Sequence, residues 1–282
     1  MSNPTFAAES CNRAFREKVA VMYGGSSQTG IMDPRQMFYL ELLHKVGELA
    51  AGKHLLDLGA GTSAFGPVAA ALGMQVSIAD DFGGGGGVEH GDHAQAGDLN
   101  LTGVRKLIAN WKSQLGIRVL ESDIINEPLA LETASVDVVT CINSLEHWHH
   151  SPKRLFREID RVLKPGGHLV LVTPNASNLR KRLSALAGKN IWDRLEWWYH
   201  DGDPVFRGHV REPIIADLKQ IMEWNGIKPV YVCGRNFLGQ QSHELGFLPA
   251  PILKRTVAMV DWLLRLRPTL CSDIHVIGRK LA

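Results

Sequence analysis

The sequence predicts an α/β fold: a doubly wound, seven-stranded, mostly parallel sheet with helices on both faces. Three observations carry this. Short apolar runs alternate with helix-like segments from residue 53 to residue 173, the pattern of strands joined by crossover helices. The first run stops at Gly59-Ala60-Gly61, a turn that takes a strand directly into a helix. The composition is ordinary for a globular chain, 45% hydrophobic and 21% charged over 282 residues, so a large core needs no staples.

The elements follow in order. Pro34 to Ala50 reads as a helix: Asp33 is the N-cap, Pro34 suits the first turn, and Phe38, Leu42 and Val46 share a face. Lys53 to Leu58 is a buried strand, Ala64 to Leu72 a small-residue helix packed close to the sheet, and Gln75 to Ala79 the second strand. Five glycines in a row, Gly83 to Gly87, form a loop, because glycine loses the most backbone entropy in a regular element. Leu99 to Ser113 is a helix; Arg118 to Glu121, Val136 to Ile142 and His168 to Thr173 are strands. Pro152 to Leu163 is a helix with Ser151 as cap. Helical segments and a Trp-rich stretch run from Pro174 to Asn225, and Val230 to Cys233 and Ile274 to Ile277 close the sheet. Between those strands Pro251 to Arg267 is an amphipathic helix, with Lys254, Asp261 and Arg265 on one side. It packs on the body or caps the site, forms a dimer contact, or lies on an anionic membrane surface.

Charge and cysteine usage narrow the function classes. Thirty-one Lys and Arg stand against 29 Asp and Glu, which gives no electrostatic footprint for an obligate nucleic-acid partner. Cys11, Cys141, Cys233 and Cys271 lack CxxC spacing, so a disulfide framework is not expected and a reducing cytoplasm fits. The first thirty residues hold no apolar signal-peptide core. No run reaches the roughly 18 apolar residues of a membrane span.

The glycine turn lies where a strand's carboxyl end meets a helix N-terminus, the ligand edge of an open α/β sheet. A dinucleotide fingerprint would need glycine at Ala64; a plain strand-to-helix connection is the other reading. Asp80 ends the second strand, suited to ribose hydroxyls or to capping the turn, and Asp81 beside it is an alternative ligand. Asp123 ends the third strand, where a carboxylate accepts from an adenine amino group or caps the loop.

Asp137 to His147 and the run Leu163-Lys164-Pro165-Gly166-Gly167 before a strand complete the pattern. With them the chain resembles class I S-adenosylmethionine-dependent methyltransferases of small-molecule, sugar or secondary-metabolite type, strongly over Lys53 to Asn175. The resemblance implies a Rossmann-like sheet whose last strand is antiparallel, S-adenosylmethionine as cofactor, and methyl transfer as the activity. Residue by residue it assigns the cofactor's amino group to Asp57 and its turn to Gly59, Ala60 and Gly61. It assigns the ribose to Asp80 or Asp81, the adenine to Asp123 and Ile124, and the neighbourhood of the sulfonium to Asn143. Ser63 stands where the family often has a third glycine.

A sulfonium methyl is already activated, so orientation alone supplies about 7–11 kcal/mol of the barrier, and a base helps when the acceptor is a neutral hydroxyl. Glu146 and His147 are the catalytic candidates, with helix-start packing as the other reading. Relatives that carry Glu-x-x-Glu-His, ubiquinone-pathway and small-RNA O-methyltransferases among them, bind a divalent ion. Here Asn143 takes the first place and no metal is expected; Glu89-His90-Gly91-Asp92-His93 reads as a solvated loop. Trp148, Trp197, Tyr199, Arg207 and His209 are the acceptor-binding candidates, unless the tryptophans serve only to bury their segment. Arg180-Lys181-Arg182 is a solvated helix face or a phosphate contact. The expected layout is an N-terminal helical lid, 1–52, and a methyltransferase domain, 53–282. Inserts at 176–226 (acceptor cap) and 245–270 (amphipathic helix) interrupt it. The expected activity is O-methylation of a small-molecule or glycan-like acceptor. An RNA or protein methyltransferase, or a silent scaffold subunit, is the alternative.

Overall fold

A computed structural model describes residues 4–23, 34–50, 53–82, 101–200, 206, 208–236 and 259–281. Asp33, the Gly83 to Gly87 run, the Glu89 to His93 cluster, Arg207 and the first part of the 251–267 helix lie outside the described residues, as does the Trp197 side chain.

Seven strands build one sheet: β1 (His54–Leu58), β2 (Gln75–Asp80), β3 (Arg118–Glu121), β4 (Val136–Ile142), β5 (Leu163–Pro174), β6 (Ile227–Arg235) and β7 (Asp273–Lys280). Their order is β3-β2-β1-β4-β5-β7-β6. The first five pair in parallel, and β7 runs antiparallel to both neighbours. Order reverses between β1 and β4, the crevice where such sheets bind ligands.

Side-chain alternation divides the core in two. Leu55, Val138 and Val170 face α2 (Pro34–Ala50), α3 (Phe65–Ala71) and α4 (Leu101–Leu115). Leu56, Val139 and Leu171 face α5 (Lys153–Val162) and α8 (Ile215–Trp224). The expected helix cover of both faces is therefore present. Two short helices, α6 (Leu179–Leu186) and α7 (Leu195–His200), follow β5, and Asn178 caps α6 by accepting from the Lys181 amide at 2.9 Å.

The N-terminal boundary is corrected. Residues 4–23 hold α1 (Ala8–Ala14), continued as further helical turns to Tyr23. Phe6, Cys11, Phe15, Val19 and Met22 are buried in the same cluster as α2 and α3. A Cβ on Gly47 would stand 2.1 Å from the Phe6 ring, so α2 needs glycine where this segment crosses it. A division at residue 52 cuts through one packed layer. In the same way α8 buries Leu218 and Met222 in the core, so a cap drawn to residue 226 reaches too far. The tryptophans do not bury the insert either: Trp192, Trp198 and Tyr199 are 67%, 59% and 71% exposed.

Helix α5 ends one residue before the expected Leu163, because Leu163 already pairs with Val136. Pairing resumes at His168 with Val138, so Lys164 to Gly167 bulge out between. A Cβ on Gly167 would lie 2.9 Å from the Asp137 carbonyl oxygen, which explains that glycine. Lys164 Nζ sits 2.8 Å from Asp137 Oδ2, which also accepts from the His54 amide at 3.1 Å. The Leu-Lys-Pro-Gly-Gly run thus ties the starts of β1, β4 and β5 together, at the opposite end of β1 from the glycine turn.

Candidate active site

The glycine turn leaves β1 at the switch point. Gly59 and Gly61 have φ of 61° and 51°, a region costly to residues with a Cβ. A Cβ on Gly59 would come within 1.9 Å of Ser144 Oγ, whereas one on Gly61 would meet nothing within 4 Å. The turn is therefore closed on the Gly59 side and open at Gly61. Ala60 is half-buried between them. Ser63 Oγ accepts from the Phe65 amide at 3.1 Å, just before α3. Tyr23 donates its hydroxyl to the Thr62 carbonyl at 2.9 Å, which brings the end of the N-terminal segment onto the turn.

Three acidic residues lie around it. Asp57 is buried beneath the turn and accepts from the Thr140 hydroxyl at 2.6 Å. Burial pushes its carboxyl up to about 7, and the nearby charge of Asp80 adds to this. Asp80 accepts from the Gly61 amide (2.7 Å) and the Phe82 amide (2.6 Å). Burial raises its pKa, against those two bonds. Asp123 is exposed and caps its own turn, accepting from the Ile125 amide at 3.0 Å and the Asn126 side chain at 2.7 Å. Asp81 is exposed. Ile124 is buried, its Cδ1 3.8 Å from where a Gly59 Cβ would be. Asn143 has a φ of 48° just past β4 and donates its amide to the Val172 carbonyl.

Beyond Asn143 the chain makes a single helical turn, Leu145–His147, that buries Glu146 completely. The Glu146 carbonyl accepts from the amides of Val210 (2.7 Å) and Arg211 (3.1 Å), which fixes the insert to β4. This contact brings His209 beside His147, ring centroids 4.9 Å apart and edge to face. One ligand atom each from Glu146, His147 and His209 lies within 4.8 Å of the others. Both Glu146 carboxyl oxygens are buried without a hydrogen-bond partner among the described residues, and burial pushes this carboxyl up to about 7. His209 Nδ1 lies 2.8 Å from Glu212 Oε1, and Glu212 also pairs with Lys181. Burial works against charge on His209, yet the Glu212 bond and the Glu146 charge hold its pKa above the ordinary value. Burial likewise opposes charge on Glu212, but its bonds to His209 and Lys181 keep it ionised at lower pH than usual.

The structure thus brings together Glu146, His147 and His209, which the sequence divided between a catalytic and an acceptor role. No metal was expected, yet this trio is a candidate cation-holding group. Trp148 stays beside it, its indole N–H donating to Ser144 Oγ at 3.2 Å. Tyr199 is set apart in solvent, its ring against His200, and offers no pocket wall. Sequence reasoning missed Thr140, Ser144, Glu212 and Asp273. Asp273 opens β7 beside the end of β5, 4% exposed and with Oδ2 lacking a partner among the described residues. Burial raises its pKa well above the usual range, reinforced by Glu146 and Glu212.

A family model described as a methyltransferase domain matches residues 34–232, a span that starts with α2 and takes in both the glycine turn and the Glu146 cluster. A ubiquinone biosynthesis O-methyltransferase from Burkholderia vietnamiensis is 32% identical over 207 residues, covering 71% of this chain and 78% of that protein. One from Cupriavidus pinatubonensis is 35% identical over 140 residues, 49% of this chain and 47% of that protein. The chain spans about half or less of the length of three curated relatives it matches, at 20%, 47% and 53%. A solved SAM-dependent methyltransferase from Archaeoglobus fulgidus has the same fold, with a TM-score of 0.53, 16% identity, and 87% of this chain and 94% of that one covered. The chain belongs to the class I S-adenosylmethionine-dependent methyltransferase family, whose cofactor is S-adenosylmethionine.

Proposed function

We propose that the protein transfers the cofactor's methyl group to a hydroxyl oxygen of a small-molecule or glycan-like acceptor. The half-buried His209–Glu212 pair against the buried Glu146 carries this reading. Neutral His209 donates Nδ1–H to Glu212 and keeps Nε2 free to accept a proton. When bound, S-adenosylmethionine would supply an activated methyl group, with its sulfur as the leaving atom, for the acceptor oxygen, and His209 would take the hydroxyl proton. His209 therefore replaces His147 as the preferred base, because it has a carboxylate to orient it. Trp148 supplies an apolar wall.

The cofactor reading rests on Asp57, Gly59, Ala60, Gly61, Asp80, Asp81, Asp123, Ile124 and Asn143 around an open turn. At Gly61 a ligand can approach the backbone closely. Within the lid proposal, residues before α2 take that role, supported by the Tyr23 contact on Thr62. The cap is residues 176–213. We place the reaction in the cytoplasm on four cysteines that are all free; among the described residues no helix is long and apolar enough to cross a membrane. No obligate nucleic acid is needed. Met259, Trp262 and Leu266 are exposed, in keeping with a dimer or peripheral membrane contact through 251–267.

A second reading is favoured by the unpartnered Glu146 oxygens: Glu146, His147 and His209 hold a divalent cation. Such an ion, when bound, polarises an acceptor hydroxyl and eases its deprotonation. Calorimetric titration of Mg²⁺ and Zn²⁺ tests it; no uptake by wild type, or equal uptake by Glu146→Gln, removes it. For the main proposal, methyl-labelled S-adenosylmethionine is incubated with protein and cell extract. The expected product is an O-methylated small molecule, and label confined to RNA or protein would contradict it.

A further inference from the structure

A cavity of about 1300 Å³ lies between α5 and α8, larger than the roughly 300–1,000 Å³ of ordinary ligand sites. Helix α5 lines it with Lys153, Phe156, Arg157 and Asp160, and α8 with Asp217, Gln220, Ile221 and Trp224. Both sets repeat at helical spacing, so each helix turns one continuous stripe toward the same space. Phe156 is buried at the floor, whereas Trp224 is 72% exposed. The upper end is walled by Trp148 and Arg211, and the lower by Lys280 and Leu281.

The charges of the groove are unequal. Lys280 pairs with Asp160 at 2.9 Å. Asp217 accepts from the Ile214 amide at 3.1 Å and so serves the start of α8. Lys153, Arg157 and Arg211 face no carboxylate within ion-pair distance among the described residues. None of the glycine-turn residues, nor Glu146, His147 or His209, lines the groove. Leu145, Trp148 and Val210, which neighbour Glu146 and His209 in the chain, do line it.

We propose that the α5–α8 groove binds an anionic amphiphile. This is a free small molecule whose phosphate or carboxylate head is held by Lys153, Arg157 and Arg211. Its apolar body lies along Trp148, Ile221 and Trp224. Arginine forks match such heads with paired, charge-assisted hydrogen bonds, and indole faces cover apolar chains at small entropic cost. Lys153 and Arg157 are exposed along the wall of a concave groove and Arg211 is exposed at its end, a curved arrangement that suits a free molecule more than a flat bilayer. The groove shares Trp148 with the acceptor side, but its charged residues Lys153, Arg157 and Arg211 take no part in the methyl-transfer reading.

Dodecyl phosphate, kept below its micelle concentration, tests this by tryptophan fluorescence and calorimetry, with inorganic phosphate and dodecanol as the head and tail alone. One-site saturable binding is expected for dodecyl phosphate, with each half about tenfold weaker or more. Lys153→Glu with Arg157→Glu should cost about tenfold or more, and Trp224→Ala several-fold. These side chains are exposed, so melting temperature and S-adenosylhomocysteine affinity should stay at wild-type values and certify folded variants. Absence of saturable binding, or wild-type affinity in the charge-reversed variant, overturns the proposal. Binding only to phosphatidylglycerol vesicles, lost in that variant, also overturns it by assigning the cations to a bilayer.

Discussion

Gly59 and Gly61 share a turn and a backbone sign, yet they answer different demands. Gly59→Ala adds a clash with Ser144 Oγ to the positive φ, so a loss of about 2 kcal/mol or more is expected in urea unfolding. Gly61→Ala meets open space and should cost only about 1 kcal/mol, while weakening S-adenosylhomocysteine binding several-fold in calorimetry. Asp57 makes a pH prediction. Its folded pKa, about 7, lies above the ordinary 3.8, so the native state binds the proton more tightly than the unfolded chain. The stability from this group is fully present below about pH 4 and is lost as pH rises toward 7, on the order of 4 kcal/mol. Asp57→Asn should flatten that slope in unfolding curves from pH 4 to 8; an unchanged slope would assign it to other groups.

At the scale of elements, the most diagnostic sequence run has a structural task. Leu163 to Gly167 bulges between two ladders and anchors Lys164 on Asp137. Gly167→Ala should lower stability by about 1–3 kcal/mol through the Asp137 carbonyl contact, leaving the affinity of the folded protein for S-adenosylhomocysteine unchanged. The strands were legible as short apolar runs, β1 ending at glycine and β2 and β3 at acidic residues. The 8–23 helical segment was harder to place. Its buried positions, Cys11, Phe15, Val19 and Met22, recur at helical spacing, but Glu9, Arg13, Arg16, Glu17 and Lys18 dilute the signal. The exposed tryptophans of the insert show the converse: aromatic content alone does not decide whether a side chain is buried.

For the whole molecule, the gathering of the strand-end residues was legible and that of the Glu146 cluster was not, for one physical reason. The glycine turn and the acids at Asp57, Asp80 and Asp123 each sit at the end of a strand, so topology aligns them without long-range detail. His209, Glu212 and Asp273 reach Glu146 only through the insert's contact on its carbonyl and the antiparallel return of β7, which no local spacing encodes. The account makes that gathering the seat of proton removal. The most direct measurement compares wild type and His209→Gln with the acceptor identified by labelling, recording both kcat and S-adenosylhomocysteine affinity. The account predicts a fall in kcat of about 10²–10⁴-fold with cofactor affinity unchanged. Wild-type kcat in a variant that still binds the cofactor would contradict it.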